Sequence, residues 1–133
     1  MLAAVLRLAI TQRFPEIEVT MPPPPGAAIV IPAKHTEVGD ISIWDDGSEA
    51  TLVLGEITHG HFADYTPNIS AEEAERTISE TLVQFLEALF DDRVLLWKQP
   101  SGSGGWRMLP GSDLPHVRSD AGTQYYLWSG PIG

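Results

Sequence analysis

The chain contains no cysteine. Disulfides, thiolate metal sites and a cysteine nucleophile are excluded together. A chain without disulfides fits a reducing compartment, and a cytoplasmic location is the expectation. Basic residues are scarce. The 8 Lys and Arg stand against 18 Asp and Glu, giving a formal net charge of −10. A surface of that sign repels phosphate backbones and anionic lipid, so neither nucleic acid nor a membrane is expected as a partner. Its electrostatic complement is a protein with a basic surface, and self-association into a homodimer is a further option. Long apolar runs are also missing. Residues 1–10 are apolar but are interrupted by Arg7 and follow no basic region, so they read as a docking helix rather than a membrane span or a signal peptide.

What remains suffices for a folded core. The chain has 133 residues, of which 43% are hydrophobic. A chain of this length buries roughly two thirds of the surface its unfolded form exposes. One domain spanning residues 1–133 is expected, with no internal repeat and no linker dividing it.

The patterning predicts its elements. In residues 2–13, Leu2, Val5, Leu6 and Ala9 recur at helical spacing, and Pro15 ends the helix. Residues 16–21 alternate as a half-buried strand does, and the prolines at 22–25 then form a stiff connector. Residues 27–31 read as a short strand and residues 34–38 as a loop carrying His35. Residues 41–44 and 50–57 predict a hairpin around Asp45-Asp46-Gly47-Ser48, with Ile41 and Ile43 on one face. Residues 58–65 read as its strand end and a loop. Residues 70–91 predict a long amphipathic helix. Ser70 and Glu73 form a capping box, and Ala71, Ala74, Ile78, Leu82, Phe85 and Leu89 form the apolar stripe. Short strands are expected at 94–97, 106–109 and 124–128, with loops at 100–105 and 111–122 and a loose end at 130–133. The order is α-β-β-β-β-α-β-β-β. It describes an α+β fold whose mostly antiparallel sheet carries the N-terminal helix and the long helix on one face.

Chemistry concentrates in residues 58–62, Thr-His-Gly-His-Phe. His59 and His61 lie two apart, so on a strand both imidazoles share a face. With Asp64 and Asp45 or Asp46 supplying oxygens and His35 a third nitrogen, they are the candidate ligands for zinc or a similar divalent ion. The same pair offers a general base for a His-based enzyme. Two histidines across one glycine recur often by chance, however, and no third ligand stands at diagnostic spacing. No nucleophile-elbow pattern accompanies them. The expectation is therefore no metal, no other cofactor and no catalytic residue. The run Ser101-Gly102-Ser103-Gly104-Gly105 fails as a phosphate loop because it leads to Trp106 and Arg107, not to a Lys-Ser/Thr pair opening a helix. Trp44, Trp97, Trp106 and Trp128 lie on or beside expected strands. Trp44, Trp97 and Trp106, with His59, His61 and Arg107, are the candidate binding residues, since Trp and Arg dominate interface hot spots. Tyr125 and Tyr126 must point to opposite faces. A pocket between sheet and helix lined by Trp97 and Trp106 would mark a small-molecule-binding protein.

The segments GDISIWDDGSEATLVLGEITHGHFADY and FLEALFDDRVLLWKQPSGSGGW resemble a pattern in small, largely uncharacterised acidic bacterial proteins. There a T-H-G-H-F hairpin end precedes an acidic helix, an F-L-x-x-L-F-x-D-R-V junction and a G-G-W loop. The match runs from Gly39 to Trp106. Some small acidic proteins of this kind are immunity proteins of bacterial toxin systems, and the resemblance implies a non-enzymatic protein-binding module of that type. It implies no residue roles. Size, acidity and helix–sheet–helix order also look like those of type III secretion chaperones, whose C-terminal helix residues 111–133 do not offer.

Overall fold

A computed structural model of the chain describes residues 2–20, 22–109 and 122–132. The described residues form two helices and two antiparallel four-stranded sheets. Helix α1 spans Leu2–Arg13. Strands β1 (Ala27–Ile31), β2 (Ile41–Asp45), β3 (Glu49–Leu54) and β4 (Thr58–Ala63) follow in chain order and pair in that order. Helix α2 spans Ala71–Phe90. Strands β5 (Val94–Lys98), β6 (Gly104–Met108), β7 (Gln124–Leu127) and β8 (Gly130–Ile132) form the second sheet in the order β6-β5-β7-β8. The α+β class and both helices are as the sequence predicts. In place of one sheet the strands form two, and those after α2 number one more than expected.

The strand assignments differ in three places. Residues 16–20 are not a strand. One bond, from Thr20 N–H to the Val30 carbonyl at 2.9 Å, ties them to β1, and Met21 lies outside the described residues. Ile17 and Val19 still pack against the core, which is what their alternation records. The strand expected at 50–57 stops at Leu54, because Gly55 takes φ +49° and Ile57 N–H closes on the Leu54 carbonyl at 3.0 Å. A left-handed glycine in a three-residue connection makes a tight hairpin, so Thr58–Ala63 returns as β4 rather than running out as a loop. Residues 130–132 form β8 against β7 instead of hanging loose. The loop expected at 111–122 lies, except for Gly122, outside the described residues.

Local chemistry sets the rest. The turn between β2 and β3 uses Gly47 at φ +88°, and Asp45 Oδ1 accepts the Gly47 N–H at 2.8 Å. The other oxygen of Asp45 accepts Ala3 N–H at 3.0 Å, placing a carboxylate at the start of α1 where the helix dipole favours it. Strand β1 carries a bulge between Ala27 and Ile29. The carbonyl of the extra residue, Ala28, accepts from Arg7 Nε at 3.0 Å. Ser70 caps α2 by accepting Glu73 N–H at 3.1 Å. At the other end Asp92 is left-handed, at φ +57°, and its carboxylate accepts from Ser129 N–H at 3.1 Å and Ser129 Oγ at 2.7 Å.

One buried cluster runs from Leu2 to Trp128 and takes in both helices and the inner faces of both sheets. Leu2, Leu6 and Ile10 face it from α1, while Leu8 stays 58% exposed. Ile78, Leu82, Phe85, Leu86 and Leu89 face it from α2, but Ala71 and Ala74 fall short of it. Phe85 is the hinge pin. Its ring meets Phe62 of β4 at 5.6 Å and Trp106 of β6 at 4.8 Å, so one side chain contacts both sheets. Where β6 begins, the sheets meet backbone to backbone. A Cβ on Gly104 would lie 1.8 Å from the Ile57 carbonyl oxygen.

Candidate functional site

The six candidate binding residues separate onto three surfaces. In β2, β3 and β4, Ile41, Ile43, Ala50, Leu52, Leu54 and Phe62 point inward. The alternate residues therefore share the outer face. Trp44 pairs with Thr51 and Thr51 with His61, making one row across three strands. Ser42, Val53 and His59 make the next row. The structure thus brings Trp44, His59 and His61 together on one solvent-facing sheet surface, with both histidines exposed and Trp44 half-buried.

The histidine rings meet edge to face at 5.3 Å. His61 belongs to a polar network that sequence reasoning missed. Its Nδ1 lies 3.1 Å from Thr51 Oγ1 and 3.2 Å from Glu49 Oε1. The Thr51 hydroxyl donates its proton to Asp46. Thr51 can then only accept from the ring, and Glu49 can only accept, so the His61 proton sits on Nδ1. Tyr65 O–H donates to Glu49 Oε2 at 3.2 Å. That bond, with the charge of Glu49 behind it, raises the phenol above its ordinary value of 10.0. The signal for this network was present in the register. Glu49 and Thr51 stand opposite Ala63 and His61, a pairing concealed when residues 58–65 are read as a strand end and a loop.

Asp64 does not join the histidines. Its carboxylate accepts from Thr66 Oγ1 at 2.5 Å and Thr66 N–H at 3.0 Å, and these bonds hold it below its ordinary value. Among the described residues no three His, Asp or Glu side chains converge as a metal site needs. Gly60, between the histidines, faces inward. A Cβ there would lie 3.5 Å from Trp106 Nε1, an ordinary contact, so the segment does not require glycine on steric grounds.

Trp106 lies on the inner face of the second sheet, opposite Leu96 and against Phe85. Trp97 lies on the outer face, opposite Gly105 and Tyr125, with Arg107 two residues along β6. Trp97 and Trp106 thus occupy opposite faces and cannot line one pocket between sheet and helix, the feature that would mark a small-molecule-binding protein. The reason is register: Trp106 pairs with Leu96, one step from Trp97. Trp128 is buried against Phe90 at 5.6 Å. Tyr125 and Tyr126 do part, Tyr125 to the outer cluster of Leu95, Leu109 and Leu127, and Tyr126 to the main core.

A recess of about 470 Å³ opens beside His59, lined by Val53, Glu56, Ile57, Ser103 and Gly104 among others. His61 does not line it. No helix among the described residues is long and apolar enough to cross a membrane. Compared with family models, curated proteins and solved structures, the chain gave no match in any of the three.

Proposed function

We propose that this chain is a non-enzymatic protein-binding module whose recognition surface is the outer face of the first sheet. One observation carries the reading: Trp44, Thr51 and His61 form a continuous cross-strand row on an exposed face, with Val53 and His59 beside it. An indole, two imidazoles and small side chains on rigid strands supply area at low ordering cost. Asp46, Glu49 and Glu56 rim the face, and the whole chain carries −10. A basic partner is steered onto such a surface, and the aromatic row anchors it. In its immunity-type form the partner is a basic toxin whose working surface is covered by docking. The test is affinity capture from the native host with wild type and with a Trp44→Ser/His61→Ala double variant, then kinetics on whatever wild type retains. A basic protein held by wild type and lost by the variant is expected, with an association rate falling at least about tenfold between 50 and 500 mM NaCl. Equal retention by both chains rules out this face.

A second reading rests on His61 alone. Its Nδ1–H is held by a carboxylate, and among the described residues no hydrogen bond engages Nε2, the orientation a general base needs. Hydrolysis of a nitrophenyl ester panel that vanishes in His61→Ala would favour it over binding alone.

A further inference from the structure

The outer face of the second sheet carries a separate site. Trp97, Gln99, Arg107, Thr123 and Tyr125 line a pocket of about 310 Å³. Three of them come from different strands and are fixed by pairing. Trp97 stands opposite Tyr125 on one side and Gly105 on the other, and Arg107 follows two residues beyond Gly105 on the same face. The indole is seated on the glycine. A Cβ on Gly105 would fall 2.4 Å from Trp97 Cζ2 and 2.7 Å from Cε2, so only a bare backbone lets the ring lie across β6. The ring is thereby held in place before any ligand arrives, and the ordering cost of binding is reduced.

Arg107 is the one base among the described residues that line this pocket. The chain has more than two acids for each base, 18 against 8. Arg13, Lys98 and Arg93 all pair with carboxylates. Arg107 is exposed and has no ion pair among the described residues, and none of the pocket's described lining residues is an acid. A guanidinium fork matches a planar oxyanion through two parallel bonds. The neighbouring indole offers a π face to a flat ring. The hydroxyls of Thr123 and Tyr125 and the amide of Gln99 add neutral polar partners. A pocket near 300 Å³ is at the small end for ligands, which limits the occupant to about one ring with its acid group. The overall charge of −10 disfavours a dianion more than a monoanion, and so favours a carboxylate over a phosphate.

We propose that this pocket binds a small aromatic carboxylate, with Arg107 holding the carboxylate and Trp97 stacking on the ring. The site lies on the other sheet from the protein-binding face and does not depend on it. Benzoate is the probe, titrated into the full-length ¹⁵N-labelled chain while the Trp97 indole N–H resonance is followed. A saturable shift is expected. Arg107→Gln should weaken benzoate at least about tenfold, as loss of a charge-assisted hydrogen bond does, and Arg107→Lys should recover part of it. Benzamide, cyclohexanecarboxylate and phenyl phosphate should each bind more weakly than benzoate. Arg107 is exposed, so the variants should keep the wild-type spectrum elsewhere. The proposal is overturned by no saturable shift in wild type, by unchanged benzoate affinity in Arg107→Gln, or by any of the three analogues equalling benzoate.

Discussion

Glu49 is the residue through which the exposed face of the first sheet is wired. One of its oxygens accepts from His61 and the other from Tyr65, while Asp46 holds the Thr51 hydroxyl and so fixes which way His61 donates. None of these groups is buried deeply enough to make the network a major source of stability, because solvent screens exposed polar contacts. Its consequence is orientation. Tyr65 gives a direct readout. Its proton is held by Glu49, so its folded-state ionisation lies above the ordinary value of 10.0. For a group raised in this way, the linked stability is present below the ordinary value and is lost as pH rises through the folded one. In Glu49→Gln the charge is gone, and Tyr65 should ionise back near its ordinary value. Ultraviolet titration of tyrosinate absorbance checks this. An unchanged Tyr65 titration would mean that Glu49 does not hold the phenol in solution.

The long helix shows how differently two of its residues matter. Ser70 satisfies a single N–H at the exposed end, whereas Phe85 joins both sheets from the middle. Replacing an N-cap serine costs about 1 kcal/mol, and truncating a buried phenylalanine costs about 3–5 kcal/mol. Denaturant unfolding should therefore show a small loss for Ser70→Ala and a loss several times larger for Phe85→Ala. Equal losses would mean that the helix is held by its cap and not by its packing. This element was also the most legible in the sequence, because its cap and its apolar spacing lie within a few residues of each other. The strands were less so. Nothing local in Thr58-His59-Gly60-His61-Phe62-Ala63 marks a strand, since only Phe62 buries well. What makes it one is Gly55 turning the chain and β3 offering its open edge. Conversely, residues 16–20 alternate correctly yet make a single bond to β1, because alternation records burial and not pairing. The candidate site suffered for the same reason. The sequence offered six plausible residues, but only the register reveals that Trp44 shares a face with His59 and His61, whereas Trp97 and Trp106 are turned apart by one step.

At the scale of the molecule, the two sheets are built by different rules. The first is a meander, with every pairing between chain neighbours, while in the second β5 must reach past β6 to β7. Local pairings close short loops and form readily, and distant ones close long loops at greater entropic cost. The sheets then meet at Gly104 and the Ile57 carbonyl, a contact with no side chain between them. Crowding of that kind costs about 1–3 kcal/mol when a methyl group is forced in. The seam therefore dates the folding reaction. If it closes last, Gly104→Ala should leave the refolding rate nearly unchanged and place its whole cost in faster unfolding. Stopped-flow chevrons of wild type and variant decide the order, and a refolding arm slowed in proportion to the lost stability would put the seam in the transition state instead. On the expected outcome, the time for which the native molecule persists before opening is governed by a junction of bare backbone at Gly104, a residue that offers no side chain to any partner.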